Sequence, residues 1–306
     1  MIDSSQKKAY LAAILYAFII GFSFVFVKLA LTATDPMSTL AHRFTISIVI
    51  ATIPVIFGWV KLNITPKDIV RILPLALFYP AMFFAFQAFG LVYASSSEAG
   101  IIQAAVPILT MLLASYFLKE RSSLWQKLSV ALSVAGVIYI FVMNGVAIDA
   151  SNVKGTVLIL LSALASAGYN VMARPMTRRF KLIDITYMMT LVGFLTFNVM
   201  SLVNHGLNGT VSLYFAPFTD TTFIISILYL GVLSSLVTSF LSNYALSHME
   251  ASKMSVFGNF ATLITMIAGV LVLDEQLKYF HLIGACMIIL GILGTAFLGK
   301  RKARAH

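Results

Sequence analysis

Residues 115–128 read SYFLKERSSLWQKL, and residues 270–283 read VLVLDEQLKYFHLI. In each, an apolar run gives way to a short charged turn built around a glutamate, Glu120 or Glu275, and a second apolar run comes after it. The two glutamates lie 155 positions apart (275 − 120). At the same offset, without gaps, Gly90-Leu91 meets Ala245-Leu246, Ser97 meets Ser252 and Thr110-Met111 meets Thr265-Met266. Leu118 likewise meets Leu273, and Gly136 meets Gly291. Self-similarity at a fixed period is the mark of an internal repeat.

The repeat is written in an apolar medium. The chain is 60% hydrophobic and 10% charged, whereas a soluble domain carries about 25% charged residues. No water-soluble fold hides that much apolar surface. At roughly 20 residues per span, the apolar runs predict ten helices, at 9–31, 37–60, 72–94, 98–118, 125–143, 155–174, 184–205, 221–246, 251–273 and 279–298. Turn signals at Asp35-Pro36, Thr65-Pro66, Asn144-Gly145 and Ala216-Pro217-Phe218 fall in the gaps. A β-barrel would need short alternating segments, and these runs are continuous. The first run comes after Lys7 and Lys8. It is too long for a cleaved leader and lacks a small-residue cleavage site, so it reads as a retained span.

Charge sets the orientation. With ten spans both termini share one face. Of the 21 Lys and Arg, only Lys154 and Lys278 fall in gaps on the other face, and Lys28 and Arg43 fall inside spans. Basic residues collect on the cytoplasmic side, so both termini are predicted to be cytoplasmic, in a multi-pass protein of the cell membrane. The net charge of +10 is thereby explained by topology, with no nucleic-acid partner.

Duplication and topology combine. Residues 1–143 form a first five-helix unit, 144–154 an extracytoplasmic linker, and 155–306 a second five-helix unit with a basic cytoplasmic tail. Five is odd, so the second unit enters the bilayer from the opposite side. The expected fold is an all-α integral membrane protein with ten transmembrane helices as a 5+5 inverted-topology repeat. Many secondary transporters share that design and hold substrate near mid-depth between the halves.

The most specific stretches are YLGVLSSLVTSFLSNYAL (229–246) running into ASKMSVFGNF (251–260), GLVYASSSEAGIIQAAVPILTMLLASYFLKER (90–121) and DPMSTLAHRF (35–44). On these the chain resembles the EamA-type, ten-span branch of the drug/metabolite transporter superfamily, over nearly its whole length. The resemblance implies export or exchange of small metabolites, amino acids or drugs, with no bound cofactor. The family pattern has a proline near the middle of the fourth span, here Pro107. The second half departs from it, with Thr262 at the matching place and Ala261 where an acidic residue often stands.

A polar group inside a span is costly unless paired, so each has a reason to be there. Tyr79, Phe83 and Gln87 share one face of span 3 at i, i+4, i+8 spacing. Their counterparts in span 8, Ser234, Thr238 and Ser242, form a second stripe. Two mirrored stripes suit the walls of a substrate cavity. The competing reading is that the hydroxyls bond their own backbone and the rings pack on neighbours. Pro80 and Pro107 are candidate kinks, and Gln103 lies one turn before Pro107. Span 6 offers Ser166, Tyr169 and Asn170, and span 1 offers Phe22 and Ser23 near its middle. Asn259 is the deepest amide of span 9, and either ties helices together or reads a ligand.

Lys28, Asp35, Arg43 and Glu98 stand near the outer face and are candidates for an ion-pair gate. Lys28 snorkelling to the interface fits as well, and Arg43, deeper in its span, suits either a gate or a contact to a substrate carboxylate. No carboxylate falls at a span centre, and a proton relay usually needs one there. Exchange down a substrate gradient is therefore expected over proton-coupled efflux. Glu120 and Glu275 are expected to accept N–H groups at the start of the next helix in each case. Small residues in spans 5 and 10 (Ser129, Ser133, Gly136; Gly284, Gly291) allow close helix approach; internal packing and a homodimer contact both fit. The five histidines lack metal-ligand spacing, and neither G-x-S-x-G nor G-x-x-x-x-G-K-S/T occurs. No enzyme and no metal site are expected, and no filter-like segment favours a channel. The single cysteine, Cys286, excludes a disulfide within the chain. The expected partners are a small-molecule substrate and the lipid bilayer.

Overall fold

A computed structural model describes residues 4–90, 93, 102–143, 153–273 and 278–297. The described residues are helical and include no strand. The helices are α1 (Ser4–Ala30), α2 (Pro36–Ile56), α3 (Pro66–Ala76), α4 (Phe83–Gly90), α5 (Val106–Phe117) and α6 (Leu124–Met143). They continue as α7 (Val153–Arg179), α8 (Leu182–Leu207), α9 (Thr221–Leu228), α10 (Thr238–His248), α11 (Ala251–Leu273) and α12 (Tyr279–Phe297). Among the described residues six stretches are long and apolar enough to cross a bilayer: Ser5–Val27, Pro36–Ile56, Pro66–Gln87, Val153–Arg179, Leu182–Leu207 and Thr221–His248. Val106–Phe117, Leu124–Ile140 and Tyr279–Thr295 are shorter apolar helices. The expected linker falls, at 144–152, outside the described residues.

Two of the long stretches are interrupted halfway. Between α3 and α4, Leu77–Met82 departs from α geometry, and Tyr79 is extended (φ −145°, ψ 120°). Pro80 is the cause: its ring crowds the preceding residue out of the α region. Between α9 and α10, Tyr229–Val237 is wound as a π-helix, whose i→i+5 bonds make a wider turn. Shifted by 155, residues 77–82 land on 232–237, inside that second stretch. Pro107 behaves differently. It lies in the first turn of α5, where no intrahelical N–H is needed. Residues 102–103 before it are helical and 104–105 form a turn, so among the described residues the helical path is interrupted just ahead of this proline.

Contacts define two ends of the bundle. At one, Asn63 N–H donates to Asp184 Oδ1 (3.2 Å), and Glu120 meets Arg174 (3.0 Å) and the start of α11. At the other, Ser38 Oγ lies 3.0 Å from His205 Nε2, His42 Nε2 lies 2.9 Å from the Tyr214 carbonyl, and Lys154 Nζ donates to Tyr93 Oη (3.0 Å).

Glycine controls the tightest helix pair. A Cβ on Gly136 of α6 would lie 2.8 Å from the Gly284 carbonyl of α12, and one on Gly291 would lie 2.6 Å from the Ser129 carbonyl. The small residues of spans 5 and 10 therefore face each other within one chain. That consumes the surface expected for a homodimer contact.

Candidate functional site

A cavity lies at the level of the two interruptions. Its cavity volume is about 50 Å³. Tyr16 of α1 and Tyr79 of the broken helix supply aromatic wall, and Val106 of α5 an apolar patch. Ser166, Tyr169 and Asn170 come from α7, and Thr238, Ser239 and Ser242 from α10. Met254, Ser255 and Gly258 of α11 complete the lining. Among the described residues the lining carries three phenols, five hydroxyls and an amide, and no charged side chain.

The wall is held by its own hydrogen bonds. Tyr169 Oη lies 3.1 Å from Ser242 Oγ and 3.0 Å from Asn243 Oδ1, and Asn243 Nδ2 donates to Thr186 Oγ1 (3.2 Å). Thus α7, α10 and α8 are tied beneath the phenol. The Asn170 amide donates to Thr110 Oγ1 of α5 (3.4 Å). The Tyr79 and Tyr169 rings stack at 4.9 Å. Gly168 allows the broken helix to come this close, because a Cβ there would sit 2.7 Å from the Phe78 ring. Gly258 is the opposite case: a Cβ there would meet nothing within 4 Å.

Of the residues singled out from sequence, Tyr79, Tyr169, Asn170, Thr238 and Ser242 meet at this cavity; so does Ser166 of the span-6 patch. The others face elsewhere. Phe83 packs on Tyr79 at 5.1 Å behind the wall, and Gln103 Nε2 donates to Ser162 Oγ (3.0 Å). Ser23 Oγ donates to its own helix at Ile20 (2.6 Å), and Phe22 and Gln87 are half-buried outside the lining. Asn259 Nδ2 donates to Ser133 Oγ of α6 (3.0 Å), which is the helix-tying alternative. Ser234 turns toward Arg43. Sequence reasoning missed Tyr16, Val106, Ser239, Met254, Ser255 and Gly258. Ser239 beside Thr238, and Ser255 with Gly258 one turn apart, are legible as small polar positions on apolar helices.

The ion-pair gate is not assembled by the described residues. Asp35 Oδ1 accepts the N–H groups of Met37 (2.9 Å) and Ser38 (3.1 Å), capping α2. Arg43 donates to Ser235 Oγ, and through Nη2 to the Ser234 carbonyl (3.1 Å) and Ser234 Oγ (3.0 Å). Helix capping and a free carbonyl satisfy the two charges separately. Glu98 and the Lys28 side chain lie outside the described residues, as does Glu275. Burial pushes the Asp35 carboxyl up, but its bonds to Ser38 and Met37 and the nearby His205 outweigh that and hold it below the usual range.

Glu120 has a different partner from the one expected. Its Oε1 accepts the Ala251 N–H (3.2 Å) and its Oε2 the Ser252 hydroxyl (3.1 Å), so it caps α11. The next helix in the chain is already capped: Gln126 Oε1 accepts the Ser123 N–H (2.9 Å), and Ser123 Oγ accepts the Gln126 N–H (3.2 Å). Among the described residues no cluster of His, Cys, Asp or Glu is arranged to hold a metal ion.

A family model described as EamA-like transporter family matches residues 7–142 and again residues 153–297. The chain belongs to the EamA-like transporter family. It is a multi-pass membrane transporter and not an enzyme. A Bacillus subtilis (strain 168) protein named uncharacterized transporter YcxC is 58% identical, over 99% of this chain and 97% of its own length. An Escherichia coli (strain K12) protein named probable amino-acid metabolite efflux pump is 24% identical, over 97% of this chain and 98% of its own. A solved crystal structure covering 98% of this transporter and 100% of that chain superposes with a TM-score of 0.77 at 16% identity, a likeness of fold.

Proposed function

We propose that this transporter is an alternating-access carrier that exports or exchanges small zwitterionic metabolites, amino acids or their derivatives, through the tyrosine- and hydroxyl-lined cavity. The observation that carries the reading is the cavity itself. It lies where two long helices break, with hydroxyl and amide donors converging from α7, α10 and α11 around an uncharged interior. Broken helices beside a mid-depth site are a recurring device of secondary transporters. In this reading the chain makes ten spans as a 5+5 inverted repeat, with residues 1–143 and 155–306 as the halves. Support comes from the 155-residue echo and from the two successive matches to one family model. The basic residues at the Glu120 end support a cytoplasmic position for that end and for both termini. The name of the Escherichia coli relative supports the substrate class.

Among the described residues no carboxylate lines the cavity, which favours exchange down a substrate gradient over proton-coupled efflux. The test is counterflow in proteoliposomes loaded with a neutral amino acid. A carrier gives saturable uptake that internal substrate accelerates. Flux without saturation or acceleration from the far side marks a channel, and absence of flux across a metabolite panel refutes transport of this class.

A further inference from the structure

Arg43 is 4% exposed and stands on α2 against the π-wound Tyr229–Val237. Among the described residues it has no carboxylate partner. Its neighbours are the Ser234 and Ser235 hydroxyls, the Ser234 carbonyl, and the Phe84 ring 4.7 Å from Cζ. Nη1 makes no hydrogen bond within the protein among the described residues. A neutral amide could donate two hydrogen bonds to a serine and a carbonyl. Burying a full positive charge there costs several kcal/mol more, so fastening α2 does not by itself account for a guanidinium.

The position of the charge offers a reason. The Ser234 carbonyl that accepts from Arg43 also accepts from Thr238 Oγ1 (2.6 Å), and Thr238 is cavity wall. Tyr79, also cavity wall, packs on Phe84 at 5.4 Å, and the Phe84 ring lies 4.7 Å from the Arg43 guanidinium carbon. The guanidinium therefore sits one carbonyl behind the lining. It is also fixed: the Ser47 hydroxyl of α2 donates to the Gly231 carbonyl (2.7 Å), and a Cβ on Gly231 would lie 2.9 Å from the Arg43 carbonyl.

We propose that Arg43 is the specificity-determining residue of the cavity, a fixed positive charge whose missing counter-ion is the carboxylate of the transported solute. The proposal rests on the carrier reading above and deepens it. The carboxylate end lies toward Thr238 and Tyr79, and the apolar remainder toward Val106 and Met254. Zwitterions and monoanions are accepted, and cations of the same shape are rejected by the field of an unpaired charge in a weakly screening interior. Arg43 acts across the wall and is a positioning residue.

The test compares neutral amino acids, each paired with its amide and its decarboxylated amine, as counterflow substrates in proteoliposomes. Wild type should exchange the acids at least about tenfold faster than either cation, the scale of a charge pair several ångströms apart in protein. Arg43→Gln should bring the ratio near one, whereas Arg43→Lys should keep most of it, which loss of a merely structural contact would not predict. Amides and amines moving as fast as acids in wild type would overturn the inference and leave the carrier intact, whether or not any Arg43 variant folds. No exchange of any probe would overturn the carrier reading and the inference together. An unchanged acid preference in folded Arg43→Gln would overturn the inference alone.

Discussion

Replacing Glu120 by alanine removes one carboxylate from three contacts at once. Glu120 is 9% exposed, and its carboxylate holds Arg174 Nε at 3.0 Å, the Ala251 N–H at 3.2 Å and the Ser252 hydroxyl at 3.1 Å. The tight turn that delivers it is strained: Lys119 has φ 53°, and the Glu120 N–H reaches back to the Ala114 carbonyl (3.2 Å). Breaking a buried ion pair from one side costs about 3–5 kcal/mol. The Arg174 side chain keeps 15% exposure, so the low end applies, about 3 kcal/mol. Loss of the cap on α11 adds about 1 kcal/mol. Among the described residues the buried Arg174 Nη1 has no hydrogen-bond partner. Glu120→Gln keeps an acceptor for Ala251 and should lose roughly half as much as the alanine variant, because hydrogen bonds to charged groups are worth about 1.5–3 kcal/mol and neutral ones about 1. The assay is equilibrium unfolding of the purified transporter in mixed micelles, run as a double-mutant cycle with Arg174→Ala. A coupling of about 1–2 kcal/mol is expected for residues in one charged network. Strict additivity, within about 0.5 kcal/mol, would show that the contact carries no energy and that α7, α11 and the α5–α6 turn are held by apolar packing alone.

The same geometry gives three further outcomes. Gly258→Leu places its side chain in open space, so it should leave the unfolding midpoint unchanged while abolishing counterflow; a large loss of stability would mean that this face of α11 is packed. Gly136→Val drives a side chain into the Gly284 backbone and should cost about 1–3 kcal/mol by overpacking, whereas a changed oligomeric state with an unchanged melting temperature would restore the dimer reading of that stripe. Asp35 has a lowered carboxyl pKa in the fold, so its stabilisation is complete above the unfolded-state value near 3.9 and is lost as pH falls through the lower folded value. Asp35→Asn keeps a capping oxygen and should flatten the acid limb of the pH–stability profile, and an unaltered limb would refute the assignment.

Hydropathy makes the helices legible because it reports the medium each segment lies in. Span boundaries read from the apolar runs fall within a few residues of α2, α6, α8 and α12. It says less about backbone geometry inside a run. Within the fourth segment the described helix is interrupted at residues 104–105 and resumes as α5 at Val106, because Pro107 fits a first turn better than a helix interior.

The same blindness divides the two polar stripes. Tyr79, Phe83 and Gln87 share a face only on a continuous helix. The extended backbone at Tyr79 rotates α4 relative to α3, so that Tyr79 reaches the cavity while Phe83 and Gln87 do not. In the second stripe, Thr238 and Ser242 stand on regular helix and line the cavity, while Ser234 lies in the π-wound turn and is carried round to Arg43. Pro80 announces the first break in the sequence; YLGVLSSLV contains no such signal for the second. Asp35 and Arg43 make separate contacts for a related reason. Sequence assigns a buried cation to the nearest acidic letters, here Asp35 and Glu98. The acceptor Arg43 uses is a backbone carbonyl within the widened turn, and every residue owns one. A charge held by a carbonyl and hydroxyls is left unmatched, which is the condition a passing carboxylate can relieve.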